Sequence, residues 1–230
     1  MRIGGLQKLA MVDFPGKVAA TVFTSGCNLR CPFCHNAPLV TRPELAEELA
    51  EEDVLSFLAG RRGLLDGVVL SGGEPLLQPG VEDFLGRVRD LGYAVKLDTN
   101  GCYPRRLRGL LEAGLVDYVA MDIKNSREKY PGTVGCPGFD TAPVEESAAL
   151  LLEGRVDFEF RTTAVKPFHA PEDMEAIGRW LSGASRYFLQ TFVDSGDLVG
   201  AGCAPFSPAE MRELAEKARP WFKMVAVRGI

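Results

Sequence analysis

Apolar and polar positions along this chain follow two rhythms that take turns. Short runs rich in Val, Phe, Tyr and Thr read as strands over 18–24, 67–70, 94–98, 118–122, 157–163 and 187–191. Between them, apolar residues return every third or fourth position, which predicts helices over 43–59, 81–91, 104–113, 143–152, 171–181 and 207–217. In the fifth of these, Met174, Ile177 and Leu181 fall on one face. Pro43, Pro104, Pro143 and Pro171 suit the first helical turn, where a missing N–H costs nothing. Ser207 and Glu210 have the spacing of a capping box.

Six βα units in succession predict an α/β fold, a parallel sheet wrapped by helices and built as a partial TIM-type (β/α)6 barrel. With no long linker and no low-complexity tract, residues 1–230 read as a single domain. Right-handed crossovers put the carboxyl ends of all the strands on one rim. Five segments rich in polar residues and glycine follow strands: Gly26-Cys27, Ser71-Gly72-Gly73-Glu74, Asp98-Thr99-Asn100-Gly101, Asp122-Ile123-Lys124 and Arg161-Thr162-Thr163. Sites in parallel α/β folds form at that rim, so these segments should converge on one mouth. Six units, where a closed barrel has eight, leave a lateral opening.

Composition narrows the function. Hydrophobic residues make up 46% of 230, enough for a substantial core. The net charge of -5 does not favour a nucleic-acid partner, and Arg105, Arg106 and Arg108 read as a solvated helix face. The early apolar stretch 18–23 is too short to span a membrane, and Asp13, Pro15 and Lys17 break the approach to it, which also argues against a signal peptide. Six cysteines, three of them within eight residues, fit a metal site in a reducing cytoplasm better than a secreted disulfide framework.

Those three are Cys27, Cys31 and Cys34, spaced C-x3-C-x2-C. Structural zinc normally takes four closed ligands in paired spacings, and no second C-x2-C pair is present. An iron–sulfur cluster held by three thiolates, with one iron left open, accounts for the odd number. Cys102, Cys136 and Cys203 are isolated and read as free thiols. Asp98 and Asp122 could simply cap the turns that follow them, Arg161 could form an ion pair at the rim, and His169 reads as a surface histidine.

The segment Gly26-Cys27-Asn28-Leu29-Arg30-Cys31-Pro32-Phe33-Cys34-His35-Asn36 resembles the signature of the radical S-adenosylmethionine (SAM) superfamily. Asp13-Phe14-Pro15-Gly16, Cys34-His35-Asn36 and Leu97-Asp98-Thr99-Asn100-Gly101 resemble its glycyl-radical enzyme activating enzymes. The resemblance is nearest to activating proteins of anaerobic ribonucleoside-triphosphate reductase; pyruvate formate-lyase activating enzyme is a more distant relative. It implies a 4Fe-4S cluster on Cys27, Cys31 and Cys34 whose open iron binds SAM. It further implies that Gly72, Gly73 and Glu74 meet the SAM amino group, that His35 and Asn36 lie over the adenine or ribose, and that Lys124 and Arg161 reach the carboxylate. Asp98, Thr99, Asp122 and the backbone of Ile123 match positions that hold a monovalent cation in the formate-lyase relative. No acid–base residue is needed for hydrogen abstraction, so none is assigned as catalytic. The partners implied are a glycyl-radical protein, such as that reductase, and an electron donor such as flavodoxin or ferredoxin.

Two other readings share part of this pattern. A radical SAM enzyme acting on a small molecule, such as 7-carboxy-7-deazaguanine synthase, would keep the cluster and SAM site but read its substrate through residues of the last third. A non-catalytic zinc or redox module would keep only the cysteines.

Overall fold

A computed structural model describes residues 1–42 and 48–230. Eight strands form one sheet in sequence order: β1 (Ile3–Phe14), β2 (Lys17–Thr24), β3 (Gly67–Gly72), β4 (Ala94–Thr99), β5 (Tyr118–Asp122), β6 (Asp157–Ala164), β7 (Arg186–Thr191) and β8 (Met224–Arg228). β1 runs antiparallel to β2, and every later pair is parallel. β1 and β8 do not pair, so the barrel stays open.

All six predicted strands are present, with ends shifted by no more than three residues; β1 and β8 are additional. β1 escaped the period-two pattern because bulges interrupt its register between Gln7 and Ala10 and again between Ala10 and Phe14. It returns into β2 through Pro15 and Gly16, whose φ of 70° is left-handed and suits glycine.

The helices are α1 (Ala37–Thr41), α2 (Glu51–Ala59), α3 (Val81–Asp90), α4 (Pro104–Glu112), α5 (Tyr130–Thr133), α6 (Ala142–Leu152), α7 (Pro171–Trp180) and α8 (Pro208–Ala218). Of the helix expected over 43–59, residues 43–47, Pro43 included, lie outside the described residues; the part from Glu51 is α2. Pro104 and Pro171 open α4 and α7, and Pro143 is the second residue of α6. The Ser207–Glu210 box closes at the start of α8, with the Glu210 N–H donating to Ser207 Oγ at 3.3 Å and the Ser207 N–H to Glu210 Oε2 at 2.7 Å. Met174, Ile177 and Leu181 are all fully buried.

Strand side chains alternate between the helix-covered face and the inner face. On β4–β6, Val95, Leu97, Val119, Met121, Phe158 and Phe160 join the main core. The residues that alternate with them point inward and are mostly polar or charged: Lys96 and Asp98, Tyr118 and Asp122, Glu159 and Arg161. At the amino end of the strands Phe14, Ala19, Val69 and Tyr118 form a small apolar plug. Above it, Tyr118 donates to Glu159 at 2.8 Å and Arg228 pairs with Glu159 at 2.7 Å. The inner face therefore turns from apolar to charged as it rises toward the rim.

Candidate active site

The rim opens on a cavity of about 300 Å³ lined by Cys27, Cys31 and Cys34, by His35 and Asn36, by Gly72 and Gly73, and by Asp98, Thr99, Asp122, Lys124 and Arg161. Ser71, Asn100, Thr163, Gln190 and Thr191 complete its polar wall. The convergence expected of the strand ends is what the structure places here.

The cysteine loop is pinned to the end of β3. Gly73 N–H donates to Thr24 O and Glu74 N–H to Gly26 O, both at 2.9 Å, and Asn36 Nδ2 donates to Gly72 O at 2.9 Å. Only glycine allows this approach. A Cβ on Gly73 would lie 2.0 Å from the Gly26 carbonyl oxygen, and Gly72, at φ 114°, would put one 2.3 Å from Thr24 N. The Gly-Gly pair thus serves backbone docking as well as exposing main chain to the cavity.

The three thiols share the cavity wall, close enough that Cys34 acts electrostatically on Cys27, and both Cys27 and Cys34 on Cys31. Burial pushes Cys27 up to about 11 and Cys31 up to about 12, and raises Cys34 as well. In the metal-free chain they are therefore protonated thiols, and a metal must displace the protons. All six cysteines are free. Among the described residues no group of three or more His, Cys, Asp or Glu side chains is gathered to hold a single metal ion. A cluster spreads its ligands over separate irons, and three thiols along one wall fit that demand.

Glu74 does not face the cavity. It is fully buried, accepting from Leu76 N–H (2.9 Å), Thr99 Oγ (2.8 Å) and Asn100 N–H (2.7 Å). Burial raises its carboxyl to about 7, against the pull of these three donors. Its side chain ties the turn after β3 to the turn after β4, and of this segment Ser71, Gly72 and Gly73 line the cavity instead.

Across the cavity, Arg161 bridges both aspartates: Nε donates to Asp122 at 2.9 Å and Nη1 to Asp98 at 3.3 Å. Lys124 pairs with Asp122 at 3.1 Å, Lys96 contacts Asp98, and Ser71 Oγ donates to Asp98 at 3.1 Å. Burial, the largest single influence, would raise both carboxyls; Arg161 together with Lys96 at Asp98, and with Lys124 at Asp122, outweighs it, holding Asp98 below its usual range and Asp122 down to about 2. The same pairing raises Lys124 and Arg161 against the opposing effect of burial, so all four stay charged. Thr99 Oγ is spent on Glu74, and the Ile123 carbonyl accepts from Thr162 Oγ1 at 2.7 Å. The oxygens matched to a monovalent cation are thus already engaged, and the positive charge facing them comes from the protein's own side chains.

His35 packs edge-on against Phe192, with centroids 5.6 Å apart, and burial lowers its pKa, favouring the neutral ring. His169 is not at the surface. It is 5% exposed, with Nε2 2.8 Å from the Lys124 carbonyl, and so fixes the backbone beneath the Lys124 side chain. Sequence reasoning gave no role to Lys96 or Thr191, and placed Asn100 only within a strand-end segment. Lys96 carried a signal: a cation two residues before Asp98 in a strand must share its face. Thr191 Oγ1 is buried, lines the cavity and has no partner, a donor and acceptor free for a ligand.

A carboxylate- and ammonium-lined cavity beside three thiols is the arrangement of a cluster-dependent SAM enzyme, and comparison with known proteins agrees. The chain belongs to the radical SAM superfamily, whose family model matches residues 21–181 and whose members hold a 4Fe-4S cluster and SAM. A solved relative in fold, Streptococcus suis SuiB bound to S-adenosylmethionine, superposes with a TM-score of 0.67 at 15% identity over 88% of this chain and 48% of SuiB. Within the superfamily the chain is a glycyl-radical enzyme activating enzyme. A Methanocaldococcus jannaschii protein named for that group is 31% identical over 99% of this chain and 96% of its own length. The pyruvate formate-lyase-activating enzyme of Clostridium pasteurianum is 35% identical over 54% of this chain and 52% of its own.

Proposed function

We propose that this enzyme generates the glycyl radical of an anaerobic ribonucleoside-triphosphate reductase, working as a single 1–230 unit in a reducing cytoplasm. Cys27, Cys31 and Cys34 would hold the cluster. When bound, that cluster supplies the single electron that cleaves SAM into methionine and a 5′-deoxyadenosyl radical, which takes a hydrogen atom from a glycine of the partner. The exposed backbone of Gly72 and Gly73 would orient the SAM amino group. Lys124 and Arg161, paired with Asp122 and Asp98, would turn toward its carboxylate, while His35 and Asn36 border the adenine or ribose. The electron would come from a small protein donor of the flavodoxin or ferredoxin type.

The observation that carries this reading is the joining of a three-thiol wall to a polar cavity in a chain that matches an activating-enzyme relative end to end. No acid–base pair is needed for abstraction of a hydrogen atom. The test is anaerobic reconstitution, then incubation with SAM, a reductant and the reductase. Electron paramagnetic resonance should show a glycyl radical on the partner, and deoxyadenosine should accumulate. Cys31→Ala should abolish both. Deoxyadenosine formation driven by a carboxydeazaguanine precursor, with no radical on the reductase, would favour the small-molecule reading. Full SAM cleavage by Cys31→Ala would refute the cluster assignment.

A further inference from the structure

One polar side chain in contact with the cysteine loop has no place in the SAM-binding set. Asn100 stands in the turn after β4 and is 5% exposed. Its Nδ2 donates to Asn28 Oδ1 at 2.9 Å and lies 3.7 Å from Cys27 Sγ as a donor; its Oδ1 accepts from Cys102 N–H at 3.0 Å. Its own N–H is held by Glu74 at 2.7 Å. The amide is thus fixed at both ends, with its NH2 group aimed between Asn28 and the sulfur. Among the described residues, Asn100 is the one side chain that donates to any of the three sulfurs. The other donor recorded on Cys27 is the Leu29 backbone N–H, at 3.4 Å.

We propose that Asn100 is a positioning residue that sets the reduction potential of the cluster through an N–H···S hydrogen bond to Cys27. The inference rests on the cluster reading above. Binding iron removes the Cys27 thiol proton, so the contact in which that thiol donates to Asn28 Oδ1, at 3.9 Å, is lost. The two contacts in which the sulfur accepts become charge-assisted and tighten. Hydrogen bonds to cluster sulfurs delocalise negative charge and favour the reduced state, which raises the potential. Cys27 has two such donors, one of them a side chain that mutation can remove, so the effect is separable from the backbone of the loop. Asn100 also lines the cavity, so the residue that would tune the cluster borders the space that SAM would fill.

The test uses the full chain reconstituted with iron and sulfide, poised against mediators and followed by electron paramagnetic resonance. Asn100→Ala and Asn100→Asp should both lower the midpoint potential with the iron content per chain kept. Asn100→Asp should lower it further, since that variant keeps the acceptor for Cys102 but puts a carboxylate by the sulfur. Protein carrying asparagine labelled with 15N at the side-chain amide alone, which keeps the Asn36 backbone N–H on Cys34 silent, should show a nitrogen coupling to the reduced cluster that Asn100→Ala loses. An unchanged potential in both variants, or a coupling that survives in Asn100→Ala, overturns the proposal. If neither variant loads iron, the labelled wild-type protein decides: absence of any asparagine-nitrogen coupling overturns it. Failure of the wild-type chain to assemble a cluster counts instead against the cluster reading itself.

Discussion

Replacing Glu74 by glutamine separates two effects that the structure sets against each other. The carboxylate spreads three donors over two oxygens, with Leu76 N–H and Thr99 Oγ on Oε1 and Asn100 N–H on Oε2. Glutamine keeps one oxygen and turns an NH2 toward the remaining donor. A buried donor left unpaired costs about 1–3 kcal/mol. Against this, burial lifts the carboxyl from 4.5 to about 7, so between those values the folded chain holds a proton that the unfolded chain has released. Wild-type stability therefore falls as pH rises through that window, by roughly 3 kcal/mol at about 1.4 kcal/mol per tenfold change in proton concentration. Glutamine has no such slope. The variant should be less stable than wild type by about 1–3 kcal/mol near pH 4.5, and the gap should close as the pH passes 7. Urea unfolding of the metal-free chain at a series of pH values measures it. Parallel stability curves, or a gap that widens with pH, would refute the assignment of Glu74 as a buried acid strung between two turns.

Three further outcomes follow from the same geometry. Gly73→Ala forces a Cβ to within 2.0 Å of the Gly26 oxygen and should cut the iron loaded per chain by at least half, whereas Gly86→Ala in α3, with nothing within 4 Å, should leave it unchanged. Arg161→Met leaves two carboxylates without their shared cation; at 12% and 15% exposure for Arg161 and Asp98, thermal and urea unfolding should register a loss of about 3–5 kcal/mol. Since protein cations already face Asp98 and Asp122, SAM binding by the wild-type chain should not change when potassium is replaced by a bulky organic cation at fixed ionic strength, while Arg161→Met should gain a potassium dependence in the same titration.

The parallel strands were legible because β2 and β3 are buried on both faces and read as continuous apolar runs, Val22 and Val68-Val69-Leu70 among them. β1 was not, because Gly4-Gly5 and Gln7-Lys8 interrupt it and its pairing with β2 is bulged. The cysteines and the polar strand ends were readable from residue type and spacing. Their partners were not. Whether Glu74 faces a ligand or a neighbouring turn depends on which way one side chain leaves the backbone, and Gly-Gly-Glu carries no mark of that. The pairing of Asp98 and Asp122 through Arg161 arises from residues far apart in sequence that meet only because β4, β5 and β6 are adjacent. Asn100 looked like part of a turn, and it is one; its contact with Cys27 appears only once the loops after the second and fourth strands are side by side.

The cavity has two halves of different origin. The sulfur wall and its glycine supports come from residues before about position 100, held by β2, β3 and β4, whereas Asp122, Lys124, Arg161, Gln190 and Thr191 come from β5 onward. A molecule lying across the cavity therefore touches early and late parts of the chain at once. Its binding should raise the cooperativity of unfolding as well as the midpoint, since neither half can then open without releasing it.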